Sequence, residues 1–299
     1  MDKKRRKSMR SSDRIFDKIL KVIVTIWLII VLYPLIYVVS SSFSSGNAVT
    51  AGKVLLWPVD FSLTGYKLVL SNRQVWTGYA NTIFYTVVGT MLNLVMTILV
   101  AYPLSRRSFQ GKRVLTTVFL IPMFFSGGLI PSYILASNLG LVNTRTYMII
   151  SGALSIYNMV LMRTYFQNSI PEELLESAKI DGITDIGYLL KIVLPLSKAI
   201  LSVIALYYMV AHWNSYFTPM IYLRNKELYP LQLILREILN ASKVDATQIM
   251  DESLLAQMAG AADVMKYALI VVSTVPMLII YPFVQKFFQK GVMIGSVKG

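Results

Sequence analysis

The sequence predicts an all-α polytopic membrane protein with six transmembrane helices, and three observations carry that prediction. The 299 residues are 55% hydrophobic and only 15% charged, whereas a typical soluble domain carries about 25% charged residues. Acidic residues are absent from Phe61 to Pro171 and again from Ile186 to Lys226, the pattern of a chain that keeps carboxylates out of hydrocarbon. Six segments are long and apolar enough to cross about 30 Å of hydrocarbon.

The six run from Leu20 to Ser42, Tyr79 to Ser105, Val114 to Ala136, Tyr147 to Phe166, Ala199 to Leu223 and Met265 to Phe287. The first is flanked by the basic run Lys3-Lys4-Arg5-Arg6-Lys7. Its apolar core is too long for a cleaved signal peptide and no clean small-x-small site follows, so the span is expected to be retained. The second and fifth are rich in Tyr, Asn, Thr and Ser, as expected of helices with one side in a bundle interior. The partition is therefore a segment 1–19, a membrane domain 20–287 with an inner loop 169–197 and an outer loop 223–264, and a tail 288–299. No internal repeat or low-complexity tract interrupts it.

The net charge of +14 could suggest nucleic acid. The basic residues flank apolar runs instead of forming one stripe, which reads as topology and not as a nucleic-acid surface. With the N-terminus inside, the inner segments hold 20 of the 29 Lys and Arg residues and the outer segments hold 9. Both termini are therefore expected in the cytoplasm. The absence of cysteine excludes disulfides, Cys-ligated metals and thiol catalysis.

The outer segments carry interface-seeking residues, Trp57, Pro58 and Trp76 in the first. The loop 223–264 holds an amphipathic stretch Leu231–Leu239, polar Asn240–Gln248 and then Glu252–Ala262, expected as short helices outside the membrane.

The inner loop reads Ser169-Ile-Pro-Glu-Glu-Leu-Leu-Glu-Ser-Ala-Lys-Ile-Asp-Gly182. Ser169 and Glu172 have capping-box spacing, with Pro171 in the first turn. Glu172, Glu173 and Glu176 suit the positive end of a helix, and Gly182 suits a left-handed C′ position. A second start signal at Thr184/Asp185 precedes the apolar run Tyr188–Leu194, which is expected to end at Pro195. A helix lying in an anionic lipid surface should be basic on its polar face. This one has three glutamates against Lys179, which suits a basic protein partner better.

In the fifth span, Tyr208, the lone His212 and Tyr216 are spaced i, i+4, i+8, with Asn214 beside them. Two readings stand equally: a hydroxyl-rich solute path with aromatic faces for sugar rings, or inter-helix hydrogen bonds with no solute contact. A single histidine without acidic neighbours does not make a metal site.

Glu176-Ser177-Ala178, Asp181-Gly182 and Ile192-x-Leu194-Pro195 resemble the signature loop of binding-protein-dependent ABC importer permeases. Ser177 replaces the usual first alanine. The tail Gly291-Val-Met-Ile-Gly295-Ser-Val-Lys298-Gly299 resembles that of the maltose-type second permease. Tyr229–Glu237, and Gly127-Gly128 with Pro131, are similar to permeases for complex-polysaccharide and uronate-oligosaccharide uptake. The resemblance implies the type I ABC importer permease fold and a non-catalytic subunit in the cell membrane, coupled to a separate ATPase. Glu172, Glu173, Glu176, Ser177, Ala178, Asp181, Gly182, Leu194 and Pro195 would then form the ATPase-coupling segment. Gly291, Gly295, Lys298 and Gly299 would enter between the ATPase subunits. Implied partners are a second permease chain, an ATP-binding subunit dimer, an extracytoplasmic solute-binding protein that Asn240–Ala262 would contact, an oligosaccharide and membrane lipid. No cofactor is expected on this chain, since ATP and Mg would be held by the ATPase; the sequence has no phosphate-binding G-x-x-x-x-G-K-[ST] loop.

The alternative is an ion-coupled secondary transporter of a polar solute, which calls for an intramembrane carboxylate or comparable relay. No predicted span core contains Asp or Glu. A membrane enzyme would need a Ser/His/Asp set or a paired carboxylate; Asp245, Asp251 and Glu252 read as solvated loop residues.

Overall fold

The computed structural model describes the backbone of residues 3–241 and 252–295, and the side chains of residues 16–240 and 260–282. No strand occurs among the described residues. The chain opens with a long helix, α1 (Lys3–Ser42), then two short ones, α2 (Gly46–Thr50) and α3 (Thr64–Ser71), and a 33-residue helix α4 (Arg73–Ser105). Helices α5 (Lys112–Phe124) and α6 (Leu129–Asn138) follow, then α7 (Arg145–Ile150) and α8 (Ile156–Ser169). The inner loop contains α9 (Glu173–Ile180), α10 (Asp185–Tyr188) and α11 (Leu194–Leu196); beyond it lie α12 (Lys198–Trp213), α13 (Phe217–Tyr222), α14 (Leu231–Ala241) and α15 (Glu252–Gly295).

Among the described residues three helices are long and apolar enough to cross a membrane: Phe16–Ser42 of α1, all of α4, and Gly260–Pro282 of α15. Bends mark two of the other expected spans, one within the span and one at its start. The third turns by 112° between α5 and α6, where Gly128 adopts φ 85 and Pro131 follows. The fifth begins after an 83° bend before α12 and stops at Trp213, with α13 following a break. The expected fourth span is not one continuous helix: the chain leaves helical geometry after Ile150, passes Gly152 at φ 78, and resumes at Ile156. Glycine tolerates that left-handed conformation without steric cost. Glu252–Ala262, expected as a separate outer helix, is the start of α15.

The chain divides into two compact units. Residues 1–71 and 238–272 form the first. Every side chain from Phe16 to Ile36 is exposed, as suits a lipid-facing helix. Ser40, Ser41, Ser42 and Ser44 at the end of α1 are buried, and three of them anchor the loop that follows. Ser40 Oγ donates to Leu56 O (2.7 Å), Ser44 Oγ accepts from Val59 N (3.0 Å), and Ser42 bonds the Tyr66 hydroxyl (2.9 Å). A small core of Ala48, Val49, Val54 and Val264 completes the unit. Here α2 meets α15 backbone to backbone: a Cβ on Gly46 would lie 2.7 Å from the Gly260 carbonyl carbon.

The second unit holds residues 72–237 and 273–299. Its spine is α4, which packs against α8 and α12. The largest core joins Ala101, Tyr102 and Leu104 of α4, Met159, Met162 and Phe166 of α8, and Ile200, Ile204 and Tyr208 of α12. Toward its start, α4 binds the irregular segment 227–231. Asn81 Nδ2 donates to Glu227 O (2.7 Å) and Tyr229 O (3.1 Å), Tyr85 Oη donates to Leu228 O (2.9 Å), and Thr82 Oγ1 accepts from Leu231 N (2.8 Å).

Gly46→Val is expected to drive α2 away from α15 at an overpacking cost of about 1–3 kcal/mol. Thermal unfolding of the detergent-solubilised protein should show the melting temperature falling by several degrees. An unchanged temperature would show that the backbone contact is dispensable.

Candidate functional site

The inner loop forms because the core dictates where each helix stops. Met162, Phe166 and Ile170 fall at i, i+4, i+8 and are all buried, which carries α8 through Ser169. Ser169 is therefore a helix residue and not the cap of the next helix, so the expected capping box does not form. Glu172 starts α9 instead; its carbonyl accepts from Leu175 N (2.9 Å) and Glu176 N (3.2 Å), with no side-chain cap. Glu173 and Glu176 lie in the first turn, where the helix dipole favours them.

Gly182 ends α9 at φ 73. Its N–H bonds Lys179 O (3.1 Å), and Ile183 N bonds Ala178 O (2.9 Å). This is the Schellman pattern, with Asp181 as C-cap and Gly182 as C′. Thr184 then caps α10 by accepting from Gly187 N (3.2 Å). The chain does not end its helix at Pro195. A wide turn over Leu189–Val193 precedes it, with Leu194 N–H reaching back five residues to Leu189 O. Such a turn takes up the register that a proline without an N–H would otherwise break. Leu194 and Pro195 thus open α11, and the sharp bend comes after it at buried Ser197.

One face of α9, Leu175 and Ala178, is buried in the same core that contains Tyr208. The other presents Glu173, Glu176, Ser177 and Asp181 to solvent together with Leu174 and Ile180, the last 87% exposed. Glu172 pairs with Arg107 at 3.0 Å, but both groups are well exposed, so the pair adds little stability. These side chains border a polar cleft of about 660 Å³ that also includes Arg106 and Lys112.

A second cavity, of about 750 Å³, lies between α4, α12 and the break separating α7 from α8. Tyr208 and His212 line it; Asn214 and Tyr216 do not. The expected face fails at Tyr216 because α12 ends at Trp213, whose indole Nε1 donates to Ser273 O (3.0 Å). Asn214 turns back onto Val210 O (3.0 Å), and Tyr216 lies under the Arg236 guanidinium at 4.9 Å.

The two readings of the Tyr208/His212 face are not exclusive, since both side chains line the cavity and both bridge helices. Asn93 Nδ2 donates to Gly152 O (2.7 Å), which leaves Asn93 Oδ1 facing His212 Nε2 at 2.7 Å. His212 Nε2 is therefore the donor. Thr97 Oγ1 donates to Asn93 O (2.7 Å), so the Tyr208 hydroxyl donates to Thr97 (2.7 Å) and accepts from Ser155 N (3.1 Å). Gly89 makes room for the imidazole, since a Cβ there would sit 2.5 Å from the ring. The sequence reading missed Asn93 and Thr97. Their signal is the four-residue spacing Asn81, Tyr85, Gly89, Asn93, Thr97, which puts polar or small residues along one stripe of α4.

Of the tail, Gly291 and Gly295 lie within α15, while Lys298 and Gly299 lie outside the described residues. The same holds for 242–251 in the middle of the outer loop.

Residues 93–294 match the family described as the binding-protein-dependent transport system inner membrane component. The chain belongs to this family. The permease is 37% identical over 290 residues to the polygalacturonan/rhamnogalacturonan transport system permease protein YtcP of Bacillus subtilis (strain 168), covering 96% of this chain and 99% of that one. It is 30% identical over 283 residues to the galactooligosaccharides transport system permease protein GanQ of the same organism, covering 91% and 92%. Among solved structures it resembles a chain of a bacterial ABC transporter involved in the import of the acidic polysaccharide alginate. The TM-score is 0.83 and the identity 38%, covering 93% of this chain and 98% of that one. The fold is thus that of a type I ABC importer permease, in a multi-pass protein of the cell membrane.

Two predictions test the geometry. Gly182→Val should cost about 1–2 kcal/mol through the left-handed backbone, read as a lowered melting temperature that Gly182→Asn largely restores. Tyr208→Phe should leave Ser155 N–H unpaired and cost about 1–3 kcal/mol; thermal unfolding should separate it from Tyr207→Phe, which loses no such bond.

Proposed function

We propose that the permease forms half of the translocation path for an oligosaccharide and couples that path to ATP hydrolysis on a separate subunit. The observation that carries the proposal is the double role of α9. Its inner face belongs to one continuous core with Tyr208 at the cavity wall, and its outer face offers acids and exposed apolar side chains together. A push on α9 is therefore transmitted by packed atoms to the cavity.

In this reading Glu173, Glu176, Ser177 and Asp181 meet a basic cleft of an ATP-binding subunit dimer, and Gly182 keeps the turn tight. Leu175, Ala178, Leu194 and Pro195 fix the segment to the membrane helices. Gly291, Gly295, Lys298 and Gly299 form a further contact with the ATPase, which holds ATP and Mg; the permease itself binds no cofactor. Both termini are cytoplasmic, in keeping with the basic bias of the inner segments. A second permease chain completes the pore, and an extracytoplasmic solute-binding protein delivers solute against Asn240–Ala262. An oligosaccharide is supported by the relatives for polygalacturonan/rhamnogalacturonan and galactooligosaccharides and by the alginate importer. The cavity agrees with it, offering tyrosines 85, 157, 207 and 281 beside Asn93, Asn158 and His212. Aromatic faces and neutral hydrogen-bonding groups suit sugar rings and hydroxyls.

Glu176→Lys is expected to abolish solute-stimulated ATPase activity in reconstituted vesicles while the permease stays inserted and folded. Normal stimulation in that variant would refute the coupling role of α9. Uptake driven by an ion gradient in the absence of the ATPase would refute the transport mechanism as a whole.

A further inference from the structure

Adjoining the cleft beside α9, and sharing Arg107 and Lys112 with it, is a concavity of about 460 Å³, formed where α4, α5 and α8 meet. Four cations line it: Arg107, Lys112, Arg113 and Arg163. Arg107 has Glu172 as its partner. Among the described residues no carboxylate lies within ion-pair distance of Lys112, Arg113 or Arg163. Arg163 is held in place from two sides, with Nε donating to Leu104 O (3.1 Å) and Nη1 to Thr116 Oγ1 (3.3 Å). Gly111 opens α5 at φ 79 with no side-chain cap, so the first N–H groups of this 13-residue helix add positive potential at the same place. On the adjoining face of the same helix, Val114, Val118 and Ile121 follow at i, i+4, i+7 and are 50–67% exposed, with Val114 and Ile121 one helical turn to either side of Thr117, which lines the concavity. The concavity thus borders an apolar helix face.

We infer that this concavity binds the phosphate headgroup of an anionic phospholipid, with an acyl chain lying along Val114, Val118 and Ile121. A general excess of inner cations explains why Lys and Arg occur on this side. It does not explain why three without carboxylate partners converge on one concavity beside an exposed apolar stripe. A free oxyanion would satisfy the cations and leave the stripe unused; a phospholipid satisfies both. Basic pockets between membrane helices on the cytoplasmic side recognise such headgroups. The site shares Arg107 and Lys112 with the cleft beside α9 and does not depend on the transported solute.

The test uses the full-length protein, delipidated in detergent and offered phosphatidylglycerol or phosphatidylcholine, with retained lipid counted by native mass spectrometry. Wild type should retain phosphatidylglycerol in preference to phosphatidylcholine. The double variant Lys112→Gln/Arg113→Gln should retain it roughly tenfold less, while the charge-keeping pair Lys112→Arg/Arg113→Lys and Lys198→Gln, which lies outside the concavity, should match wild type. Equal retention by wild type and the double neutral variant would overturn the proposal, as would equal retention of the two lipids. Displacement of phosphatidylglycerol by equimolar inorganic phosphate would assign the pocket to a free oxyanion and overturn the lipid assignment. Unchanged lipid retention with weakened ATPase binding would give the surface to a protein partner instead. No arm requires solute or ATP, so the result stands apart from the transport reading.

Discussion

A backbone N–H or C=O without a partner inside hydrocarbon costs several kcal/mol, and this permease interrupts its helices repeatedly within its apolar segments. Helix α4 supplies many of the missing partners. Asn81, Thr82 and Tyr85 satisfy the segment 227–231, and Asn93 satisfies Gly152 O at the break before α8. Through Thr97 and Tyr208 the same helix reaches Ser155 N. The cavity exists because the α7–α8 connection is allowed to be irregular, and it is allowed to be irregular because α4 is uninterrupted and polar along one stripe.

The inner loop depends on that arrangement. Leu175 and Ala178 have a surface to pack on because α4, α8 and α12 are locked together. Once that inner face is buried, the helical period leaves the glutamates outside. Acidic charge, a glycine stop and a proline-tolerant wide turn then follow one another within 24 residues, Glu172 to Pro195. Each is a local device, and together they seat a short helix firmly against the core.

Much of this was legible in the sequence because it rests on local chemistry. The helical class, the apolar segments, the Gly182 stop and the Thr184 cap are properties of nearest neighbours. The places where reading failed share a cause. Ser169 has the spacing of a cap, but burial of Phe166 and Ile170 keeps it inside α8. Tyr216 continues the Tyr208/His212 spacing, but α12 stops when Trp213 docks on Ser273. The fourth span has the apolarity of a membrane helix, but a long-range bond from Asn93 makes a break at Gly152 tolerable. In each case a tertiary contact decided between two locally acceptable outcomes. The stripe on α4 was visible as composition, and only its partners gave it meaning.

The hydrogen bonds around Tyr208 have a direction. An amide N–H at Ser155 gives to the phenol, the phenol gives to Thr97, and Thr97 gives to the carbonyl of Asn93. The series starts on a group that does not release its proton and finishes on one that has none to pass on. It is a closed circuit with respect to protons: it can hold two helices in register, but it cannot conduct. This part of the polar core therefore resembles the wiring of a proton-driven carrier only in outline: it is a clasp between helices and not a conduit.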